Sequence, residues 1–503
     1  MAQSLRNCLR FPLHALSRNS LTAGRVSAVL LTTIGFTALA GAADWTDQRK
    51  LLPTMPAVGE ANDRFGESVA IDGHVVFAGA PGEDAAEGAA YVFEFDDTSN
   101  PKTWVPNDYK LTASDGVAGD QFGNALSISF KTAIIGAFQA DVSGGPTDAG
   151  AAYVFERVSS AWGETRKLSG PVANDYFGTS VSISGSTAVV GAPGNGAGPG
   201  AAYIFQDVSS SGPSALTATG PTAGDLFGYS VAIDGNLAIV GAPGRHPDDD
   251  PGGTFDRPGA AYVFQYASSS WGQVGGPLFD ATGGDGDGFG TSVAVSGNTF
   301  IVGAPYNDFL NGYGDNVTDG GSAYTFVFNG SSVSPNGPIN DSDAYDGDHF
   351  GYSVGIETGV EVGGASDNTD VVAIVGSPHD DHFSYGVDSG STLIFQDTGS
   401  GLMEYYPKVT AETADGNSDA ATDAQYGFAV AISGTTGVVG ANLKDLDSVP
   451  GAGAAYALGD YPFVPPGYND DPPETPDVPE PSSLALVLLA GLCLFGSRRN
   501  RKA

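Results

Sequence analysis

Residues 225–243 read DLFGYSVAIDGNLAIVGAP, and variants of this text return six more times along the chain. The Asp and the aromatic-Gly pair that open it recur in DRFGESVAIDG (63–73), DQFGNALSIS (120–129), DYFGTSVSISG (175–185), DGFGTSVAVSG (287–297), DHFGYSVGI (348–356) and DAQYGFAVAISG (423–434). Each copy runs on into an apolar stretch closed by Gly-Ala or Gly-Ser, such as VVFAGAP, AIIGAF or AIVGSP, and then into a short aromatic segment such as GAAYVF or GSAYTF. A weaker fourth element precedes each aromatic-Gly pair, as in RKLL (49–52), YKLT (109–112), RKLS (166–169) and YPKVT (406–410). Recurrence of this kind signals a repeat architecture and outranks local propensity.

Each unit supplies four short strands in an antiparallel meander. The first link, IDG or ISG, suits a tight hairpin because Gly accepts positive φ. The apolar runs do not alternate, so that strand must be covered on both faces. A sheet packed between two similar sheets meets this demand, and the recurrent Gly and Ala allow blades to converge closely. The expectation is an all-β fold over 43–462, a seven-bladed β-propeller of four-stranded antiparallel blades. Closing the ring with RKLL would require Lys50–Leu52 to pair beside AYAL (455–458).

These marks resemble the FG-GAP repeats of integrin α-subunit propellers and their bacterial relatives, over about 49–458. The resemblance implies a seven-bladed propeller used for extracellular recognition or adhesion. Calcium-binding copies in that family carry a D-x-D-x-D-G-like loop between the FG and GAP strands. Here the link is a bare Asp-Gly or Ser-Gly, too short to supply five or more oxygens. Only the sixth repeat has a long link, ETGVEVGGASDNTD (357–370), and its spacing differs.

The two ends read differently. Arg6, Arg10, Arg18 and Arg25, the apolar run Val26–Ala40 and Ala40-Gly41-Ala42 have the order of an export signal over 1–42. At the other end a Pro-rich acidic linker (463–481) leads to an apolar stretch and to Arg498, Arg499, Arg501 and Lys502. Val478-Pro479-Glu480-Pro481, the short apolar helix and the basic tail (482–503) together resemble the PEP-CTERM sorting signal. That resemblance implies transient inner-membrane anchoring in a Gram-negative bacterium, recognition by an exosortase-type enzyme and removal of the tail near Pro481. Both cysteines, Cys8 and Cys493, fall in these ends.

Charge narrows the partners. Lys+Arg is 21 against Asp+Glu 58, a formal net charge of -37. The two ends hold eight of the cations and none of the acids, leaving 13 against 58 in 43–481. Such an excess repels nucleic acid and anionic membrane, so membrane contact is expected only through the C-terminal helix before processing. The expected ligand is an extracellular polysaccharide or surface protein.

Links between strands two and three and between blades fall on one face of a propeller, and they carry most of the long acidic loops. In blades four to six these include GRHPDDDPGGTFDRPG (244–259) and HDDHFSYGVDSG (379–390). They nominate Asp248, Asp249, Asp250, His379, Asp380, Asp381 and His382 as a ligand face. Two metal arrangements stand beside this. Asp341, Asp343, Asp346 and Asp348 cluster as carboxylates that suit Ca²⁺, although the pattern makes no cofactor obligatory. His379 and His382 flank two acids in a set that suits a transition metal. The Asp before each FG pair reads instead as a turn-closing acceptor of backbone N–H groups.

GYSVG (351–355) matches the G-x-S-x-G nucleophile elbow in letters only, because the same strand reads GESVA, GTSVS and GYSVA elsewhere. No catalytic residues are assigned. The expectation is a non-enzymatic surface or matrix propeller; the alternatives are a polysaccharide-active enzyme using the acidic face, or a purely structural matrix protein.

Overall fold

The structure, a computed structural model, describes residues 48–459 except 53–60, 97–102, 142–147, 160, 195–197, 245–258, 281–283, 285, 311–315, 361–369, 382–387, 398–401, 412–422, 447–448. It is an all-β propeller of seven four-stranded antiparallel sheets. The fourth blade, built from the stretch quoted first, runs Val231–Asp234, Leu237–Ala242, Ala260–Ala267 and Ser270–Gln273. The first strand of every blade packs against the first strands of both neighbours, so these seven strands are innermost. The second strands are the apolar runs, and Leu237–Ala242 is buried along its whole length.

The core is divided among the blade junctions. Seven hydrophobic clusters are present among the described residues, each straddling two neighbouring blades. The FG pair is the rivet at each junction. Phe122 bridges by its backbone to Gly88 of the blade before. Its ring meets Tyr153 and Phe155 of its own blade edge-on, with centroids 5.5 and 5.9 Å apart. The Gly of GAP faces the Gly of the next FG: a Cβ on Gly79 would lie 2.0 Å from the Gly123 carbonyl oxygen. Neither position has room for a side chain, which is why these two glycines punctuate the repeat.

The N-terminal strand closes the ring, one of the arrangements the sequence left open. Gln48–Leu51 is the fourth strand of the seventh blade, with Arg49 opposite Ala457, Lys50 opposite Tyr456 and Leu51 opposite Ala455. Gln48 is buried, donates to the Thr410 carbonyl and accepts from the Tyr426 hydroxyl. A strand from the start of the propeller thereby locks its last two blades.

Candidate functional site

The two faces of the propeller are built from different links. On one face the first two strands of a blade are joined by two-residue turns, except in blade six. The Asp or Ser before each turn accepts a backbone N–H from the following blade. Asp72 accepts from Phe130, Ser129 from Gly185, Ser184 from Gly235 and Asp234 from Gly297. Ser296 accepts from Thr358, and Ser433 from Gly73. This ring of caps stitches six of the seven junctions; four of its members are serines, and its two carboxylates, Asp72 and Asp234, already accept backbone N–H groups. Ca²⁺ therefore does not fit at these short links.

Three acids of this face, Glu357, Asp234 and Asp72, lie near enough to act on one another. Burial pushes the Glu357 carboxyl up to about 7, and the nearby charges of Asp234 and Asp72 add to the shift.

On the opposite face a tyrosine, a lysine and an acid recur together. In blade one Tyr91 donates to the buried Glu83, and Lys110 Nζ lies 2.7 Å from the same carboxylate. In blade two Tyr153 and Lys167 converge on Asp115 at 2.9 and 2.8 Å. The register explains the recurrence, because Tyr91 pairs across the strands with Lys110 and Tyr153 with Lys167. Blade five keeps the tyrosine without the lysine, and Tyr324 donates to Asp280.

Blade six breaks the pattern. Leu393 stands where the tyrosine would be, but Lys408 is retained. Its ammonium lies 2.7 Å from Asp341 Oδ2, 2.7 Å from Asp380 Oδ2 and 3.1 Å from Asp343 Oδ1. Asp341, Asp348 and Asp380 are all buried, with carboxylate oxygens within 4.8 Å of one another. Burial raises the Asp341 carboxyl despite its ion pair. Asp348 is pushed up to about 7 by burial and then by the charge of Asp380. The neighbouring acids hold the lysine charged, above its ordinary range, against its burial. Ca²⁺ asks for six to eight oxygens, whereas here an ammonium already touches three of the carboxylates and would repel a second cation. The residues do not fit Ca²⁺; the lysine is the resident cation.

The proposed four-aspartate cluster is thus divided. Asp346 is exposed and accepts the Thr318 N–H, apart from the lysine. Asp348 accepts the Tyr345 N–H three residues back, and Asp120, Asp225 and Asp287 make the same bond. The turn-closing reading of this Asp holds at those four positions. Asp380 is buried and so is withdrawn from the ligand face, while Asp381 is exposed and accepts the Asp388 N–H. Asp248, Asp249, Asp250, His382 and Val478–Pro481 lie outside the described residues.

Sequence reasoning missed a rim at the entrance to the innermost strands. The residue between Asp and the aromatic-Gly pair takes a left-handed backbone in Arg64, Gln121, Tyr176, Leu226, His349 and Gln425, with φ from 53° to 57°. Side chains from these positions and from the residues closing GAP touch around the axis. Arg64 donates to Gln121, which donates to Gln139. Tyr306 packs edge-on against His349. His349 Nδ1 meets His379 Nδ1 at 2.8 Å, and His379 Nε2 lies 3.1 Å from Gln425 Nε2. His379 therefore pairs with His349. Aligning the repeats in register, with His349 and His379 in their columns, was the signal that could have found this.

Ser353 of the elbow-like GYSVG donates to the Gly427 carbonyl. Ser68, Ser180, Ser230 and Ser292 make the corresponding bond to the next blade.

Comparison with known families matches the FG-GAP repeat to residues 45–93, 107–155, 162–205, 213–264, 273–326 and 416–458, more than half of the chain. The first five windows begin before or within the last strand of one blade and run into the third strand of the next, and the sixth runs through the first two strands of blade seven into its third; none covers 327–415, where blade six forms a complete sheet. The PEP-CTERM protein-sorting motif matches residues 477–502. No curated protein matches the chain significantly. Among solved structures, the crystal structure of the N-terminal domain of Nup159 is similar over 83% of this chain and 95% of that one, at 9% identity and a TM-score of 0.42.

Proposed function

Because this chain belongs to the FG-GAP repeat family and carries a PEP-CTERM sorting motif, we propose that it is a non-enzymatic binding propeller that acts at the surface or in the extracellular matrix of a Gram-negative bacterium. The sorting motif marks an exported protein with a membrane-anchored C-terminal signal, processed by an exosortase-type system. In this reading the basic, apolar N-terminal 42 residues are a cleaved export signal, and the ligand is a polysaccharide or a surface protein.

The observation that carries the proposal is the inequality of the two faces. One is stitched by two-residue turns whose polar side chains are used between blades. The other bears the long acidic links, and its exposed carboxylates include Asp308, Asp346 and Asp381 around blades five and six. Sequence variation gathered on one side of a rigid scaffold is how repeat proteins present a binding surface. Blade six, outside the matched repeat windows, is also the blade with the lysine-centred acid cluster and the histidine pair. The elbow-like serine has a structural partner, which favours binding over hydrolysis.

The test is a panel of matrix polysaccharides and surface proteins from the producing bacterium, scored for both binding and cleavage. Saturable binding without product release is expected; release of shorter chains would support the enzymatic alternative. Neither binding nor turnover would support a purely structural role.

A further inference from the structure

We propose that His349 and His379 form a binding site for a transition-metal ion of the zinc, copper or nickel class, set on the rim of the acidic face. The site stands on its own geometry and does not depend on the adhesive reading.

Two links of one blade supply the pair. His349 sits in the left-handed position of its turn, where its N–H donates to the Asp319 carbonyl and its carbonyl accepts from Tyr352. His379 follows Pro378, in a turn closed by the Asp380 N–H on the Ser377 carbonyl. The imidazoles meet edge-on, with centroids 4.6 Å apart, planes at 81° and Nδ1 atoms facing at 2.8 Å. Tyr306 backs the His349 ring at 4.9 Å.

Two facing ring nitrogens must either share a proton or share a Lewis acid. Gln425 Nε2 donates to His379 Nε2, which leaves the His379 proton on Nδ1, aimed at the lone pair of His349 Nδ1. Binding an ion needs both Nδ1 lone pairs. The His379 proton moves to Nε2, and the Gln425 amide turns to accept it through Oε1. No proton is released overall, because both rings start and finish neutral. Zinc–imidazole bonds of about 2.0–2.1 Å in a tetrahedron set nitrogens about 3.3 Å apart, so the rings need to open by about 0.5 Å.

The surroundings favour a cation. The charges of Asp381 and Asp388 act on His379, whereas the neighbouring Asp380 is already paired with Lys408. Lys408 is engaged in the buried cluster. Nitrogen donors select borderline transition ions over Ca²⁺. Water would hold the remaining positions, which an imidazole or carboxylate of a partner could replace.

The experiment titrates ZnCl₂ into the full-length chain in detergent, carrying Cys8→Ser and Cys493→Ser so that no thiol competes. Calorimetry should show one saturable site, weakened at least tenfold by His349→Gln or His379→Gln, unchanged by His74→Gln, and silent to CaCl₂. Co²⁺ gives a second readout, visible absorption from nitrogen coordination, which should be present in the parent and lost in both variants. His349→Asn and His379→Asn repeat the test should either Gln variant melt early. Absence of zinc binding by the parent would overturn the proposal, as would undiminished affinity in folded variants at either histidine.

Discussion

Lys408 Nζ lies 2.7 Å from Asp341 Oδ2, although the two residues stand 67 positions apart in the chain and come from opposite sides of the junction between blades five and six. The same ammonium reaches Asp380 and Asp343, so one cation serves three carboxylates. Removing one partner of a buried ion pair costs about 3–5 kcal/mol, because uncompensated charge stays inside. Lys408→Met should destabilise the propeller by about 3 kcal/mol at pH 8. The loss should shrink towards pH 5, where the stranded carboxylates can take up protons. Chemical denaturation at both pH values measures this, and adding Asp341→Asn should restore part of the stability.

The glycine contact between blades gives a sharper contrast. Gly79→Ala would place a methyl group 2.0 Å from the Gly123 carbonyl oxygen, with backbone rather than a yielding side chain in the way. Overpacking costs about 1–3 kcal/mol in an ordinary core, and a rigid junction puts this change at or above the upper end. Gly163→Ala meets nothing within 4 Å and should stay within about 0.5 kcal/mol of the parent. Urea midpoints of the two variants make the comparison.

Glu357 and Asp348 are each raised to about 7, both chiefly by burial. The native state keeps protons that the unfolded chain has released above the usual carboxylate range. Stability should therefore fall as pH climbs from about 4 to about 7 and level off above that. Melting temperature should decline from pH 5 to pH 8, and Glu357→Gln should recover about 1–3 °C at pH 8 with no gain at pH 4. A melting temperature that rises over this range would show that these groups are not held protonated.

At the turn after the first strand of blade two, Phe130 takes φ 53° where blades one, three, four, five and seven place Gly. The ring is 55% exposed, so it gains little from burial. Asn tolerates this conformation, and Phe130→Asn should stabilise the protein by about 0.5–1 kcal/mol in thermal unfolding.

Much of the fold was legible because the repeat states its own geometry. Seven FG and GAP marks specify seven junctions, whereas the strand that closes the ring stayed open until Lys50 and Leu51 were seen paired beside AYAL. The Asp before FG was readable as a turn closer because the bond it makes spans three residues. The site was less legible because its contacts join distant columns of the repeat. Asp341, Asp380 and Lys408 are near neighbours only after the blade has folded, and a run of aspartates in sequence does not show the lysine among them. Asp380 and Asp381 are adjacent letters, yet the turn after Ser377 buries one and exposes the other. The Asp and Ser of the IDG and ISG turns were visible as turn formers, but their bonds to the next blade were not.

The most direct test of the binding account compares the two faces in one assay. Asp308→Asn, Asp346→Asn and Asp381→Asn remove charge from the acidic face while keeping an acceptor oxygen for the N–H each one caps. Asn236→Lys with Asn298→Lys alters exposed positions in the short turns of the other face. Retention of each purified protein on producer cells lacking the gene should fall at least tenfold for the aspartate triple variant and stay at the parent level for the turn variant. Undiminished retention of the folded triple variant would contradict the assignment of the acidic face as the ligand surface.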